Sequence, residues 1–543
     1  MSGAATREVL SARAERFGDR VALTEGARRV SHRELSAAAD GLATALLAHG
    51  GASDLDGERI ALLIEPGIDW VAALWGVWRA GGIAVPLCVS HPAPELAYVL
   101  GDCRPRLLLS SAALAERGGE AASGPGVEAQ EVGDLAAGAA SPTSAHPRND
   151  LAERGALVVY TSGTTGGPKG ALLTHGSLAA QVDALLDAWG WRKDDAIVNV
   201  LPLHHVHGIV NVLCCALASG ARCELMAGFD AAAIWDRFAA RELTVFMAVP
   251  TVYARLLAAW EQTDDAVRER WSAGARTLRL MVSGSAALPV SVLERWEDAT
   301  GHRLLERYGM TETGMILSNP LDGERVPGSV GRPLPGVEVR FAGGGEPFAE
   351  STDSQATAVG GSRADPTADS QADLHARRGE IEVRGPGLFR EYWGREEATR
   401  EAFTADGWFR TGDVGVLEHG RYRLLGRASV DILKTGGYKV SALEIEEVLR
   451  AHPAIAEVAV VGVADEEWGE RVAAAVVLRE REDESGRGGA LELDELREWS
   501  KRRLAPYKAP TLLRVVDELP RNALGKITKP QVVELFAREP GGR

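Results

Sequence analysis

The 543-residue sequence is poor in cysteine, carries no excess of basic charge and contains no long hydrophobic run. Its cysteines form no C-x-x-C pair, and their spacing matches neither a zinc site nor a disulfide framework. Buried apolar thiols in a reducing compartment are therefore expected. The formal net charge of −16 argues against a general nucleic-acid-binding protein. The cysteines are Cys88, Cys103, Cys214, Cys215 and Cys223.

Membrane and export signals are also missing from the sequence. No apolar segment approaches the ~18 residues needed to span a bilayer. The N-terminal stretch MSGAATREVLSARAERFGDR has no apolar core of a secretory signal, and its acidic residues Glu8, Glu15 and Asp19 count against a transit peptide. The sequence predicts a cytoplasmic protein with no membrane or nucleic-acid partner, acting as a monomer or weak homodimer.

Short apolar runs alternate with helical patterns in the N-terminal part. RIALLIEP and PRLLLSS are typical of buried strands, and IDWVAALWGVWRAG is typical of a helix that ends at glycine. This alternation predicts an α/β fold. Two segments lack large apolar residues, so we expect an irregular connection at 117–148 and a mobile, disordered insertion at 342–378.

A domain boundary is expected near GRASVDILKTGG, with domains at 1–427 and 428–543. Beyond it, Ser441 and Glu444 have the spacing of a capping box that opens a helix, and His452 and Pro453 close that helix. EVAVVGV and RVAAAVVL indicate strands, and LELDELREWSKRRL indicates an amphipathic helix.

A loop rich in glycine and hydroxyl groups, YTSGTTGGPKG, follows the strand-like run GALVVY. Backbone amides, hydroxyls and one ammonium group are what a polyphosphate needs for binding. The loop is not a Walker A sequence, because proline precedes its lysine and glycine follows it. It predicts an ATP-binding loop made of Thr161, Ser162, Gly163, Thr164, Thr165, Gly166, Gly167, Pro168 and Lys169.

This loop resembles the phosphate loop of the adenylate-forming superfamily, which includes acyl-CoA synthetases. SGSAALP, RYGMTETG, GWFRTGD, GRASVDILKTGGYKV and PRNALGKI resemble the later motifs of that superfamily, in its order. The resemblance implies a large N-terminal domain of several subdomains and a small, mobile α+β C-terminal domain. It also implies two reactions: a carboxylate attacks ATP to give an acyl-adenylate, and the thiol of CoA then takes the acyl group.

The resemblance also implies roles for single residues. Tyr308 would stack on adenine, Thr311 would bind the α-phosphate, and Glu312 with Thr165 would hold Mg²⁺. Lys526 would bridge the substrate carboxylate and the α-phosphate during adenylation. The remaining ATP-binding positions implied are Gly284, Ser285 and Ala286 at adenine, Gly309 and Met310 beside it, and Asp413 and Arg427 at the ribose.

The small domain would rotate between the two reactions. Its hinge would be Ser429, two residues after Arg427, although the superfamily more often has Asp or Lys at this position. Gly436 and Gly437 would then line the tunnel for the pantetheine arm of CoA, where small residues permit close approach.

Arg307 is the strongest indication of which acid is activated. By resemblance it lies at the end of the acyl pocket, where His205 and His207 of LPLHHVHG also contribute. A guanidinium there is costly unless it meets an anion, and a distal carboxylate of the substrate would satisfy it. The matching segments are similar to those of malonyl-CoA and methylmalonyl-CoA synthetases, which implies a short dicarboxylic acid. The alternative is an internal ion pair, for example with Glu306.

Three other functions remain open at this stage. The protein could be a CoA ligase for a short or medium monocarboxylic acid, with Arg307 paired internally. It could be an adenylation domain that serves a carrier protein. A non-catalytic nucleotide-binding protein is a third possibility, but such a protein needs neither Lys526 nor Glu312.

Overall fold

The structure is a computed structural model that describes residues 10–137, 151–161, 167–226, 228–347, 377–436, 438–466, 468–479, 491–522 and 525–537. Within these ranges the chain forms four β-sheets of nine, seven, five and five strands. Helices lie between most strands of the two larger sheets. The α/β fold predicted from the sequence is confirmed.

The nine-stranded sheet carries Arg307, and the seven-stranded sheet carries the ends of the phosphate loop. The first sheet has the order Arg332–Pro333, Gly314–Ser318, Leu305–Met310, Leu280–Ser283, Val245–Ala248, Ala196–Asn199, Arg222–Leu225, Val21–Glu25 and Arg28–Ser31. The second has the order Glu391–Tyr392, Lys169–Thr174, Gly155–Thr161, Ile83–Pro86, Arg59–Leu63, Leu107–Ser110 and Glu128–Glu131.

Most central strands of both sheets pair in parallel and are almost completely buried. Parallel strands covered on both faces need continuous apolar sequences, which is why RIALLIEP and PRLLLSS were recognisable as strands. The helices of this part are Leu10–Glu15, His32–Gly50, Ile68–Arg79, Ala93–Cys103, Ala115–Ser123, Val132–Ala137, His175–Ala188, Cys215–Ser219, Ala231–Ala239, Pro250–Glu261, Asp265–Ala275 and Val290–Thr300, with a π-helix at His207–Cys214.

The two smaller sheets follow in the second half of the chain. One contains Glu338–Phe341, Arg377–Arg384, Phe409–Glu418 and Arg421–Arg427, with Glu346–Pro347 beside the second strand. The other contains Tyr438–Ser441, Ile432–Thr435, Gly469–Leu478 and Ile455–Asp465, with Leu512–Val515 pairing in parallel. The helices here are Glu396–Ala402, Ala442–Arg450, Leu493–Lys501 and Lys529–Ala537.

The chain passes from one small sheet to the other between Arg427 and Ile432. The second sheet and its helices enclose apolar clusters of their own, which begin at Leu433. The predicted division at residues 427 and 428 falls in this connection. Whether the two parts move as separate domains stays a prediction.

Two sequence expectations about loops need correction. The connection predicted at 117–148 contains the helix Ala115–Ser123, the strand Glu128–Glu131 and the helix Val132–Ala137, and its remainder lies outside the described residues. The ends of the segment 342–378 pair in a sheet, where Pro347 is opposite Arg377. Residues 348–376 of the expected insertion lie outside the described residues. Hydrogen bonds between backbone groups hold these ends in the sheet, although their sequence lacks the apolar residues that would predict a strand.

The cap before helix Ala442–Arg450 is half of the predicted capping box. The Ser441 hydroxyl accepts the amide of Glu444, as expected. The Glu444 carboxylate, however, accepts a bond from the Lys508 ammonium. In a capping box the Glu444 carboxylate would accept the backbone amide of Ser441. Here it binds the Lys508 ammonium instead, and a charged donor makes the stronger hydrogen bond. All five cysteines are buried free thiols, as predicted.

Candidate active site

Arg307 is a fully buried guanidinium on the strand Leu305–Met310. Only 2% of its surface is exposed. Its Nη1 atom donates to Ser285 Oγ over 3.3 Å, and Ser285 Oγ lies 3.2 Å from His207 Nδ1. Within the described residues, Nε and Nη2 of Arg307 and Nε2 of His207 have no hydrogen-bond partner. Buried polar groups are nearly always paired, so this cluster is arranged to receive a ligand that accepts hydrogen bonds.

The backbone of the segment SGSAALP brings Ser285 to this cluster. Ser285 has a φ of 70°, which is uncommon for a residue other than glycine. Such conformations concentrate at functional sites. A Cβ atom on Gly284 would lie 2.7 Å from Nε of Arg307. Glycine at position 284 therefore leaves the room that the guanidinium occupies.

Within the part of the chain that the structure describes, Arg307 bonds to Ser285 and to no carboxylate, and Glu306 Oε2 also lacks a partner, so the alternative of an internal ion pair with Glu306 is wrong. Neighbouring residues of a strand point to opposite faces, which separates the two side chains. Burial lowers the pKa of Arg307 to about 9, with a smaller opposing effect of Tyr253. The group still carries its charge at neutral pH.

Glu306 is itself buried, and burial raises its pKa to about 8 although the Leu288 backbone donates to it. Its folded-state pKa lies above the unfolded value, so it costs stability progressively as the pH rises from about 4.5 to 8. One pKa unit corresponds to ~1.4 kcal/mol. We expect Glu306→Gln to gain at least about 2 kcal/mol over the wild type at pH 8 and little at pH 4.5. Denaturant unfolding at the two pH values measures this difference, and an equal effect at both would contradict it.

Asp413 connects two other predicted nucleotide-binding residues, Arg427 and Tyr308. Its Oδ1 accepts Arg427 Nε at 3.0 Å, and its Oδ2 accepts the hydroxyl of Tyr308. Arg427 Nη2 also donates to the backbone carbonyl of Thr411. The strands Phe409–Glu418 and Arg421–Arg427 pair with Asp413 opposite Arg427, which sets this geometry. A carboxylate has about four acceptor positions, so Asp413 retains capacity for ribose hydroxyls.

Glu312 is a buried carboxylate without an ion-pair partner in the described part of the chain. Its Oε1 accepts the hydroxyl of Tyr392 at 2.9 Å, and Lys169 Nζ lies 5.3 Å from the centre of the same tyrosine ring. Burial raises the pKa of Glu312, with Tyr392 and Arg427 opposing. Binding a cation would offset the cost of this buried charge. Glu312 thus fits the magnesium role expected for it, with oxygen ligands as Mg²⁺ prefers.

The phosphate loop is described only at its two ends. Thr161 ends one strand and Lys169 begins the next, and the two pair in register. The Tyr98 hydroxyl donates to the Pro168 carbonyl, and a Cβ on Gly167 would lie 2.5 Å from that hydroxyl oxygen. Ser162, Gly163, Thr164, Thr165 and Gly166 lie outside the described residues, so their predicted roles stay predictions.

The histidine segment ends at the Arg307 cluster. His204 and His205 are neighbouring rings, 4.6 Å apart between centroids. Burial lowers the pKa of His205 and of His207 well below the usual value, with smaller contributions from nearby positive charges. Both rings are therefore neutral at neutral pH. Within the described residues no three His, Cys, Asp or Glu side chains are grouped to hold a metal ion.

Lys526, in the C-terminal part of the chain, lies near enough to Arg307, His205 and His207 for their charges to influence one another. Its side chain keeps solvent-accessible surface, but surrounding protein and the charges of Arg307 and Arg427 lower its pKa. Its charge in turn lowers the pKa values of His205 and His207. The structure thus brings together two positions 219 residues apart, Arg307 and Lys526.

The remaining predicted site residues lie in several different segments of the chain. Ala286 is exposed and Gly309 passes close to the Gly314 carbonyl, while Met310 and Thr311 continue from the Tyr308 strand. Ser429 lies in the connection between the two small sheets. Gly436 has a φ of 54° and lies beside the Trp468 ring, and Gly437 is outside the described residues. The hinge and CoA roles stay predictions.

Several site residues had no sequence signal that identified them. Tyr392 bonds to Glu312, and Thr411 supplies a carbonyl to Arg427. Asn211, on the π-helix that begins at His207, is 1% exposed and both of its side-chain polar atoms lack a partner in the described residues. π-Helical segments occur frequently at functional sites, but neither this helix type nor these contacts follow from local sequence.

Comparison with known proteins supports the resemblance found in the motifs. Residues 10–393 match the family model of the AMP-binding enzyme, and residues 444–526 match that of the AMP-binding enzyme C-terminal domain. The chain is 45% identical to malonate–CoA ligase ACSF3, mitochondrial, of Xenopus laevis, over 96% of this chain and 91% of the relative. It is 41% identical to malonate–CoA ligase of Arabidopsis thaliana, over 89% of this chain and 78% of the relative. Some relatives are named as mitochondrial, so the cytoplasmic location stays a prediction.

Solved structures show the same likeness in three dimensions. ATP-bound MatB from Rhodopseudomonas palustris superposes with a TM-score of 0.81 at 32% identity, over 97% of this chain and 99% of that protein. A malonyl-CoA ligase ternary product complex with methylmalonyl-CoA and AMP superposes with a TM-score of 0.63 at 37% identity, over 93% of this chain and 97% of that protein. No helix among the described residues is long and apolar enough to cross a membrane. The family match covers well over half of the sequence and follows the motifs in order, so the chain belongs to the AMP-binding enzyme family.

Proposed function

We propose that the protein is an ATP-dependent malonate–CoA ligase that also accepts methylmalonate. In the first reaction a carboxylate oxygen of the acid attacks the α-phosphorus of ATP, which forms the acyl-adenylate and releases pyrophosphate. In the second, the thiol of CoA attacks the acyl carbon, which forms the thioester and releases AMP. The observation that carries the choice of acid is the buried Arg307 without an anionic partner among the described residues.

A dicarboxylic acid supplies what this site lacks. One carboxylate accepts from Nε and Nη2 of Arg307, which are two donors of one planar fork. The other carboxylate then faces Lys526, where adenylation occurs. Lys526 lies close enough to Arg307 for the guanidinium charge to lower its pKa, so the acid that connects them is short. Malonate has this length, and the names of the relatives agree with it.

The other residues bind and orient ATP. Asp413 and Arg427 hold the ribose, and Tyr308 supports the adenine from the same hydrogen-bonded group. Glu312 and Thr165 would hold Mg²⁺, which neutralises phosphate charge when it is bound. Lys169 adds a fixed positive charge beside the phosphate loop, and the Lys526 ammonium stabilises the negative charge that develops at the α-phosphate.

We infer that the two parts of the chain are arranged for the first reaction. Two observations support this: the charge of Arg307 lowers the pKa of Lys526, and the TM-score is 0.81 with an ATP-bound relative but 0.63 with a product complex. For the second reaction we propose rotation about Ser429, which brings Gly436 and Gly437 to the pantetheine arm of CoA. Small residues there allow the thiol to approach.

A panel of acids tests the proposed function. AMP formation that depends on CoA is measured with acetate, butyrate, octanoate, malonate, methylmalonate and succinate. We expect malonate and methylmalonate to have the highest kcat/KM, because only a short diacid satisfies Arg307 and Lys526 together. Preference for acetate or octanoate would keep the ligase chemistry and overturn the choice of acid. Adenylate formation without thioester formation would indicate a carrier-protein thiol, and no reaction at all would indicate a binding protein.

A further inference from the structure

The loop that carries Lys526 is closed by hydrogen bonds from its own residues. We call residues 520–522 and 525–527, the described part of PRNALGKI, the lysine loop. Lys526 N donates to the Asn522 side-chain oxygen at 3.0 Å, and Asn522 N donates to the Lys526 carbonyl at 2.9 Å. Gly525 N donates to the Asn522 carbonyl, and Gly525 has a φ of 74°, which favours glycine. Asn522 therefore binds both backbone polar groups of Lys526.

Arg521 connects the lysine loop to a neighbouring β-strand. Its Nη1 donates to the Gly525 carbonyl at 2.7 Å, and its Nη2 donates to Glu457 Oε2 at 2.8 Å. Glu457 belongs to the long strand Ile455–Asp465, which is paired along its length with the strand Gly469–Leu478. One guanidinium thus joins the residue before Lys526 to a rigid strand.

We propose that Arg521 and Asn522 are positioning residues for Lys526 in the adenylation reaction. The inference rests on the proposed function, because it assigns these residues to the first reaction of that site. A lysine side chain has a long flexible stem, so its ammonium is placed accurately only if its backbone is held. A displacement of about 1 Å at a catalytic group can cost a large part of its effect.

The same contacts have little influence on global stability. The side chains of Arg521 and Glu457 are 30% and 45% exposed, and ion pairs at such exposure contribute little to folding. Loss of Arg521 should therefore change the chemistry of Lys526 more than it changes the melting temperature. This difference separates a positioning role from a structural one.

Double-mutant analysis tests the proposal. Arg521→Ala and Asn522→Ala are each made in the wild type and in Lys526→Ala, and pyrophosphate release with ATP and malonate is measured. We expect a loss of about tenfold in the wild-type background and no further loss in Lys526→Ala, because a positioning residue acts only through the group it positions. Thioester formation from supplied malonyl-adenylate should stay within about twofold, and Tm within about 2 °C.

Arg502→Ala is the matched control, since Arg502 is an exposed arginine in the same part of the chain. It should leave both reactions unchanged. Additive losses in the Lys526→Ala background, equal losses in both reactions, or a large fall in Tm would each overturn the positioning role. If the wild type activates a different acid, Arg521→Ala and Asn522→Ala are measured with that acid in both backgrounds. In that case only the choice of malonate is overturned, and the positioning role is still tested. If no acid is activated, both proposals are overturned.

Discussion

Lys526→Ala is expected to lower the rate of malonyl-adenylate formation by about 10³-fold, which corresponds to ~4 kcal/mol of transition-state stabilisation. The charge of the Lys526 ammonium lowers the pKa values of His205 and His207, and the charge of Arg307 lowers the pKa of Lys526, so these groups lie near one another. Negative charge grows on the α-phosphate as the carboxylate attacks, and a fixed cation in a cleft stabilises it strongly. Pyrophosphate release under single-turnover conditions measures the effect.

Thioester formation is the internal control for this variant. Malonyl-adenylate supplied together with CoA should react at nearly the wild-type rate, because the second reaction uses another arrangement of the small domain. Lys501→Ala removes a half-exposed lysine paired with Glu498 and should leave both reactions unchanged. Equal loss of both reactions in a folded Lys526→Ala variant would contradict a role confined to adenylation.

The depressed pKa of Lys526 also predicts a pH dependence. Desolvation by the surrounding protein and the positive charges of Arg307 and Arg427 favour the neutral amine, although the side chain keeps solvent-accessible surface. The protonated form is the active one, so adenylation should be lost as the pH rises through this lowered pKa. The decline should therefore begin at a lower pH than an ordinary lysine, with a pKa of about 10.4, would give. A profile of pyrophosphate release between pH 7 and 11 measures it, and thioester formation should not share this decline.

Arg307→Ala is expected to raise the KM for malonate by about 10² to 10³-fold, because a bidentate, desolvated contact between a guanidinium and a carboxylate is lost. Arg307 is 2% exposed, and within the described residues its guanidinium bonds only through Nη1, to Ser285. Its Nε and Nη2 donors therefore remain available for the substrate carboxylate. Removing the charge also removes the penalty against short monocarboxylic acids, and activity with butyrate should rise. Initial rates at varied acid concentration measure both changes.

Two further variants sharpen this prediction. Arg307→Lys keeps a positive charge without the planar fork and should lie between the wild type and Arg307→Ala. Arg303→Ala removes a nearby arginine that is 41% exposed and paired with Glu297, and it should leave the KM unchanged. An unaltered KM for malonate in Arg307→Ala would remove the argument for a dicarboxylic acid and favour a monocarboxylic substrate.

The fold class and most elements could be predicted from the sequence because parallel strands buried on both faces need continuous apolar runs. The strand at Arg59–Leu63 and the helix at Ile68–Arg79 show this directly. Connections followed the sequence less well. The segment at 117–137 forms a helix, an edge strand and a further helix, although its composition is that of a loop. Such short elements depend on neighbours in the sheet and not on local pattern.

The motifs determined by themselves which chemistry the chain carries, since phosphate binding and adenylation need particular groups in a short stretch of sequence. Only the tertiary structure decided how these groups meet. It separated Arg307 from Glu306 on opposite faces of one strand, placed Ser285 between Arg307 and His207, and brought Lys526 near them. Local sequence specifies the donors and charges available. Their distances depend on contacts between segments hundreds of residues apart, and only the packed fold establishes those contacts.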